Sequence, residues 1–143
     1  MFVQEEGWTA ASWGGSISSS PIPLLRVGEV STVRALMQRS LALDPKWEAG
    51  AVRSKACRAS PVDPRSAREH FDKAVELSGG QSAFAYLAMA TSVAQRARDR
   101  SEFERLLKAA LAVDINKRPT LRLANLIAQK RAAALLARSP QLF

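Results

Sequence analysis

Residues that bind metals or form disulfides are scarce in this chain of 143 residues, which has one cysteine, Cys57, and one histidine, His70. A lone cysteine excludes an intrachain disulfide and is compatible with either a reducing or an oxidising compartment. A metal site normally draws three or four ligands, so metal chemistry is close to excluded and no cofactor is expected. Strand-favouring Thr, Tyr and Ile are few, with a single tyrosine in the whole chain. Phosphate loops are missing too: Gly14-Gly15 and Gly79-Gly80 fit neither G-x-x-x-x-G-K-[ST] nor G-x-G-x-x-G. Long hydrophobic runs are also lacking. Two uncharged stretches of 19 residues exist, Gly7 to Leu25 and Leu77 to Gln95. The first is full of Ser, Gly and Pro, and the second is broken by Ser78-Gly79-Gly80-Gln81-Ser82, so neither makes a membrane span. Met1 to Gly7 has neither the basic nor the apolar region of a signal peptide.

What is present is helical material. Apolar residues make up 47% of the chain and charged residues 24%, an ordinary globular balance. Ala and Leu dominate the apolar share, and they are the two best apolar helix formers. The fold class is therefore all-α, in a single domain over 1–143, with 1–30 partly irregular and 31–138 holding repeats and a capping helix. A domain of this size buries enough surface to do without a staple. The net charge of +8, from 21 basic and 13 acidic residues, favours an anionic partner. The Arg residues are scattered through nearly every segment, which reads first as solvated helix faces and only second as a polyanion site.

One pattern recurs along the chain: Arg39-Ser40-Leu41-Ala42-Leu43-Asp44, Lys73-Ala74-Val75-Glu76-Leu77-Ser78, and Ala109-Ala110-Leu111-Ala112-Val113-Asp114. Ser40, Ala74 and Ala110 are equivalent and lie 34 and 36 residues apart, near the period of tetratricopeptide helix-turn-helix units. The A-x3-F signature, followed by a small residue, is met by Ala67, Phe71 and Ala74, loosely by Phe103, Leu107 and Ala110, and more loosely by Val33, Met37 and Ser40. These spacings predict helices near 31–43, 45–58, 64–77, 82–98, 101–113 and 119–138, with a short stub near 8–17 and a Ser/Pro-rich loop from Ser18 to Glu29. They stack as a short solenoid with a long C-terminal helix.

Boundary residues agree with this division. Asp44-Pro45 and Asp63-Pro64 read as N-caps with proline at the first helical position. Ser101-x-x-Glu104 reads as a capping box, with Asp99 as the alternative cap, and Gly79-Gly80 as a left-handed helix end. The helix at 82–98 is apolar nearly all round, through Phe84, Tyr86, Leu87, Met89 and Val93, and so should be central. The helix at 45–58 loses its apolar face at Arg53, Lys55 and Arg58 and is the weakest element.

The segments Ala67-Arg68-Glu69-His70-Phe71, Glu76-Leu77-Ser78-Gly79-Gly80 and Phe103-x-x-Leu106-Leu107-x-x-Ala110-Leu111-Ala112-Val113-Asp114 lead into a distinctive final helix. That helix carries Arg122-Leu123-Ala124-Asn125-Leu126-Ile127-Ala128-Gln129-x-Arg131-Ala132 and Leu135-Leu136-Ala137-Arg138. Together with Trp13-Gly14, Leu41-Ala42-Leu43-Asp44-Pro45 and Trp47-x-x-Gly50, this run resembles the T-component of TRAP transporters, the TatT-like family, from about Trp8 onward. The resemblance implies a periplasmic, often lipid-anchored helical-repeat protein that binds the solute-binding subunit, self-assembles, and encloses apolar channels suited to a hydrophobic ligand. Against the family pattern, the chain lacks a lipoprotein signal and the helices expected before Trp8, which implies a truncated or mis-started copy. Residues 53–63 are basic and Pro-containing where the family has an apolar helix and loop.

Candidate site residues follow. Arg118, Arg122, Asn125 and Gln129 are spaced by 4, 3 and 4 and fall on one helix face. They read either as a polar stripe for a partner or as structural ties, with the amides on backbone groups and the Arg residues on carboxylates. His70 has Glu69, Asp72 and Lys73 nearby in sequence, but helical neighbours diverge, so no triad forms; Glu69 and Lys73 make an i, i+4 pair. Asp72 and Glu76 share a face. Cys57, between Ala56 and Arg58, is a small filler rather than an activated thiol. Trp8, Trp13 and Trp47 suit a core or an apolar channel equally well; Trp13, Trp47 and Tyr86 are the apolar-ligand candidates. The chain thus reads as a non-enzymatic accessory protein of a TRAP-type transporter that binds the solute-binding subunit and an apolar ligand. The alternatives are a basic module for nucleic acid or another acidic partner, and an inactive fragment of a longer protein.

Overall fold

The computed structural model describes residues 2–18, 21, 28–44 and 64–143, in two compact units that divide after Glu48. All regular structure among the described residues is helical.

In the first unit, α1 (Phe2–Ser18) packs against α2 (Val30–Leu43). The helix α1 is longer than the stub at 8–17 that its sequence predicts. Gly7, Gly14 and Gly15 lower its intrinsic propensity, but Gly14 also lets the helices meet closely: a Cβ there would stand 3.4 Å from Cγ1 of Val33. Packing overrides propensity at this position. Ala10, Ile17, Val33, Met37 and Ser40 are buried. The Ser40 hydroxyl meets no hydrogen-bond partner, so this position demands small size rather than polarity. Asp44 ends α2, its N–H donating to the Ser40 carbonyl at 3.0 Å. The predicted helix at 45–58, with Trp47 and Cys57, lies outside the described residues, as do Asp63 and the basic stretch 53–63.

The second unit opens with α3 (Pro64–Ser78), starting at the proline as expected. Its end is a paired reversal: Gly79 N–H donates to the Glu76 carbonyl at 3.1 Å and Gly80 N–H to the Val75 carbonyl at 2.8 Å. Both glycines hold positive φ, 61° and 74°, which a side chain would oppose. Helix α4 (Ala83–Met89) follows, capped by the Ser82 hydroxyl, which accepts from Ala85 N–H at 3.4 Å. Its Ala83, Ala85, Leu87, Ala88 and Met89 are buried, as expected for the central helix.

The α-helix does not run to residue 98. It widens to a π turn over Ala90–Ala94, where Gln95 N–H donates to the Ala90 carbonyl at 2.9 Å. The Thr91 hydroxyl donates back to the Leu87 carbonyl at 3.0 Å, a side-chain competition that bends helices. Arg98, at φ 57°, completes the reversal.

Helix α5 (Arg100–Leu111) is capped by Asp99, whose carboxylate accepts from Glu102 N–H at 2.9 Å, so Asp99 and not Ser101 is the cap. A 3-10 turn at Pro119–Leu121 then feeds α6 (Arg122–Ala137), and a short turn of helix, α7 (Ser139–Leu142), ends the chain. Helix α5 packs on α4, the π turn and α6, and α3 packs on α4. The core gathers Phe71, Met89, Phe103, Leu106 and Leu107 around alanines at close approaches. Every repeat-signature position is buried: Ala67, Phe71 and Ala74, then Phe103, Leu107 and Ala110, with Val33, Met37 and Ser40 in the first unit.

Candidate functional site

The predicted polar stripe separates into two halves. Asn125 is 1% exposed and faces the loop between α3 and α4. Its Oδ1 accepts from Ala83 N–H at 2.9 Å, and its Nδ2 donates to the Gln81 carbonyl at 2.9 Å. One side chain thereby satisfies a free donor at the start of α4 and fixes the turn ahead of it. Gln129, one turn on, directs Nε2 toward the end of α5, donating to the carbonyls of Ala110 (3.2 Å), Leu111 (3.1 Å) and Val113 (2.8 Å). These carbonyls belong to the last turn of α5 and the residues just after it, where intrahelical partners run out; the Ala110 carbonyl also accepts from Val113 N–H at 3.4 Å. Both amides act as ties between α6 and neighbouring helix ends.

The two arginines are placed differently. Arg118 precedes the 3-10 turn with extended backbone, φ −132° and ψ 95°, so it is not on the helix face with the others. Arg122 is exposed on the first turn of α6. The carboxylate pairing anticipated for them goes to other arginines. Arg105 grips Glu102 through Nε at 2.6 Å and Nη2 at 2.8 Å, Arg68 approaches it at 3.8 Å, and Arg100 bonds Glu104 at 2.8 Å.

Helix α6 packs inward through small residues, Ala128 and Ala132. Its large apolar side chains point the other way: Leu123 is 71% exposed, Ile127 61% and Leu126 44%. The sequence reading missed this outer strip. The signal was available, because Leu123, Leu126 and Ile127 follow i, i+3, i+4 spacing, but a helix apolar on both sides does not declare which side faces in.

The chain's end folds back on α5. The Ser139 hydroxyl donates to Glu104 at 2.7 Å, and the Phe143 ring lies 5.2 Å from that of Phe103. The Ser139 bond, then the Arg100 guanidinium, hold the Glu104 carboxyl below its ordinary value of 4.5. Arg105 does the same for Glu102. A carboxyl with a depressed folded pKa adds stability above its unfolded value and loses it as the pH falls through the folded one. These two carboxyls should therefore contribute nothing to the pH dependence of melting between about pH 7 and 5, and should lower the melting temperature below about 4.5. The decline should be shallower in Glu104→Gln, read by thermal melts across pH. Equal slopes in both proteins would contradict the Ser139–Glu104–Arg100 linkage.

The remaining candidates are dispersed. Tyr86 is half-buried with its ring edge-on to Phe71, centroids 5.6 Å apart. Trp13 belongs to the first unit, where its Nε1 donates to Glu29 at 2.5 Å, and Trp8 there is 53% exposed. Trp47 lies outside the described residues. A recess lined by Phe84, Leu87, Ala88, Thr91 and Arg131 has room for about one water molecule. Lys73 pairs with Glu76 at 2.7 Å, one turn ahead, rather than with Glu69; either acid is within reach of a lysine on a helix. His70 is half-buried on α3. Among the described residues no group of three or more His, Cys, Asp and Glu could hold a metal ion, and no helix is long and apolar enough to cross a membrane.

No curated protein matches the chain. A family model does, that of the TRAP transporter T-component, over residues 7–143. Nearly the whole chain is covered, both compact units included, and the protein belongs to the TRAP transporter T-component family.

Proposed function

We propose that this T-component is a non-enzymatic, periplasmic accessory protein that acts by binding the solute-binding subunit of its TRAP transporter. The family match over residues 7–143 carries the reading. The use of polar groups supports it: Asn125, Gln129 and Glu104 are engaged in holding helices together, and Glu102 is held by Arg105 on its own helix and approached by Arg68 of α3. The helix pairs α3–α4 and α5–α6 are read as tetratricopeptide-like units of a single domain, a scaffold type that works by presenting surface.

Among the described residues, Tyr86 lies against Phe71 and the recess beside Phe84 is water-sized, so neither of these two places offers room for an apolar ligand. The ion pairing of Arg68, Arg100 and Arg105 takes these three side chains out of a nucleic-acid surface. Titration calorimetry of the chain with the solute-binding subunit from the same source tests the reading. A saturable heat at a 1:1 or other fixed ratio is expected. A folded chain giving no heat with that subunit, and steeply salt-dependent binding to DNA instead, would overturn it.

A further inference from the structure

Helix α6 is built for burial on both sides, yet only one side is covered by the described residues. Inward it places Asn125, Ala128 and Ala132; outward it places Leu123, Leu126 and Ile127. An apolar helix face left to water is unfavourable in proportion to its area, and a contiguous one marks an interaction surface.

Charge indicates what covers it. Between Ile115 and Phe143 there is no Asp or Glu, while Lys117, Arg118, Arg122, Lys130, Arg131 and Arg138 are all cationic. On a 3.6-residue helix, Lys130 lies three residues beyond Ile127 and four beyond Leu126, in the middle of the apolar strip, with Arg122 and Arg131 on its two flanks. All three are exposed. A second copy meeting this face through a two-fold axis would set cations against cations. A membrane surface suits a helix with cations only along its flanks, because the centre of the strip must sink among acyl chains; Lys130 stands at that centre.

We propose that the outer face of α6 is the docking surface for the solute-binding subunit, and that it receives from that subunit an acidic amphipathic helix. Leucine or similar side chains of the incoming helix lie on Leu123, Leu126 and Ile127, and its carboxylates meet Lys130, Arg122 and Arg131. This rests on the function proposed above for its partner, but its location stands on the structure alone.

The test is calorimetry of the solute-binding subunit with the parent chain, with Leu123→Ser/Ile127→Ser, with Lys130→Glu, and with Lys73→Glu on α3 as a control of equal charge change. The substituted α6 side chains are exposed, so melting curves of the α6 variants should match the parent, whereas Lys73→Glu gives up the pair with Glu76 and should melt slightly lower while still folded. The double variant and Lys130→Glu should each weaken binding about tenfold or more, with Lys73→Glu unchanged. Parent-like binding by both α6 variants would overturn the docking surface while leaving subunit binding intact. Absence of binding by the parent chain would remove the proposed function, and this inference with it. Sedimentation of the parent chain with phosphatidylglycerol vesicles, lost in the α6 variants, would assign the face to a membrane and overturn the protein partner.

Discussion

Phe103→Ala should lower the unfolding free energy by about 3–5 kcal/mol, the range for emptying a fully buried phenylalanine site. Phe103 is the largest side chain with no exposure, and it stands in α5 among Met89, Leu106 and Leu107. Its ring also meets Phe143, inclined at 57°, so the cavity would reach the docked end of the chain and loosen α7 as well. Small domains have roughly 5–15 kcal/mol in total, so a loss of this size brings the protein close to its unfolding threshold. Phe103→Leu, which retains most of the volume, should cost about 1–1.5 kcal/mol. Urea unfolding followed by circular dichroism gives both numbers. An alanine variant within about 1 kcal/mol of the parent would show that this ring does not organise the core.

Asn125→Ala should cost about 2–4 kcal/mol, more than its small volume alone would suggest. Removal strands the buried Ala83 N–H and the part-buried Gln81 carbonyl, and breaks the tie between α6 and the start of α4. Asn125→Asp separates the two bonds. The carboxylate still accepts from Ala83 N–H but turns an oxygen toward the Gln81 carbonyl, so it should also be destabilised, and should recover in part at acid pH as the group protonates. Gln129→Ala should cost less, about 1 kcal/mol, because the Leu111 carbonyl is exposed to water and the Ala110 carbonyl keeps the Val113 N–H at 3.4 Å. Equal, small losses for Asn125→Ala and Gln129→Ala in urea unfolding would mean that the α3–α4 loop is held by something else.

How far the sequence could be read depended on whether a feature was local. Pro64 and the Gly79-Gly80 pair announce helix ends through their own backbone chemistry, and those ends lie where expected, while Asp99, the alternative to the Ser101 box, is the cap. The buried positions of the A-x3-F signature were equally legible, since small and aromatic residues at fixed spacing reflect close helix packing. What failed depends on neighbours distant in sequence. The length of α1 goes with its packing on α2, which its own propensity does not show. The π turn at Ala90–Ala94 follows from a competition between Thr91 and the helix backbone that composition does not advertise.

The candidate site divides along the same line. That Asn125 and Gln129 share a face was plain from spacing; that the face points inward was not, because α6 reverses the usual arrangement. Its alanines face in, where small side chains let α6 come close to α4 and α5, and its leucines face out. Hydrophobic size is therefore a poor guide to direction in this helix, and the backbone partners of the two amides decide it.

The division of α6 into an inner face that holds the fold and an outer face that meets a partner is tested most directly by amide and methyl NMR. Spectra of the labelled chain would be compared before and after addition of the solute-binding subunit. The methyl signals of Leu123, Leu126 and Ile127 should shift or broaden at substoichiometric partner, while the side-chain amides of Asn125 and Gln129 keep their positions. Perturbation of those two amides, with the three methyl groups unmoved, would contradict the assignment of the faces.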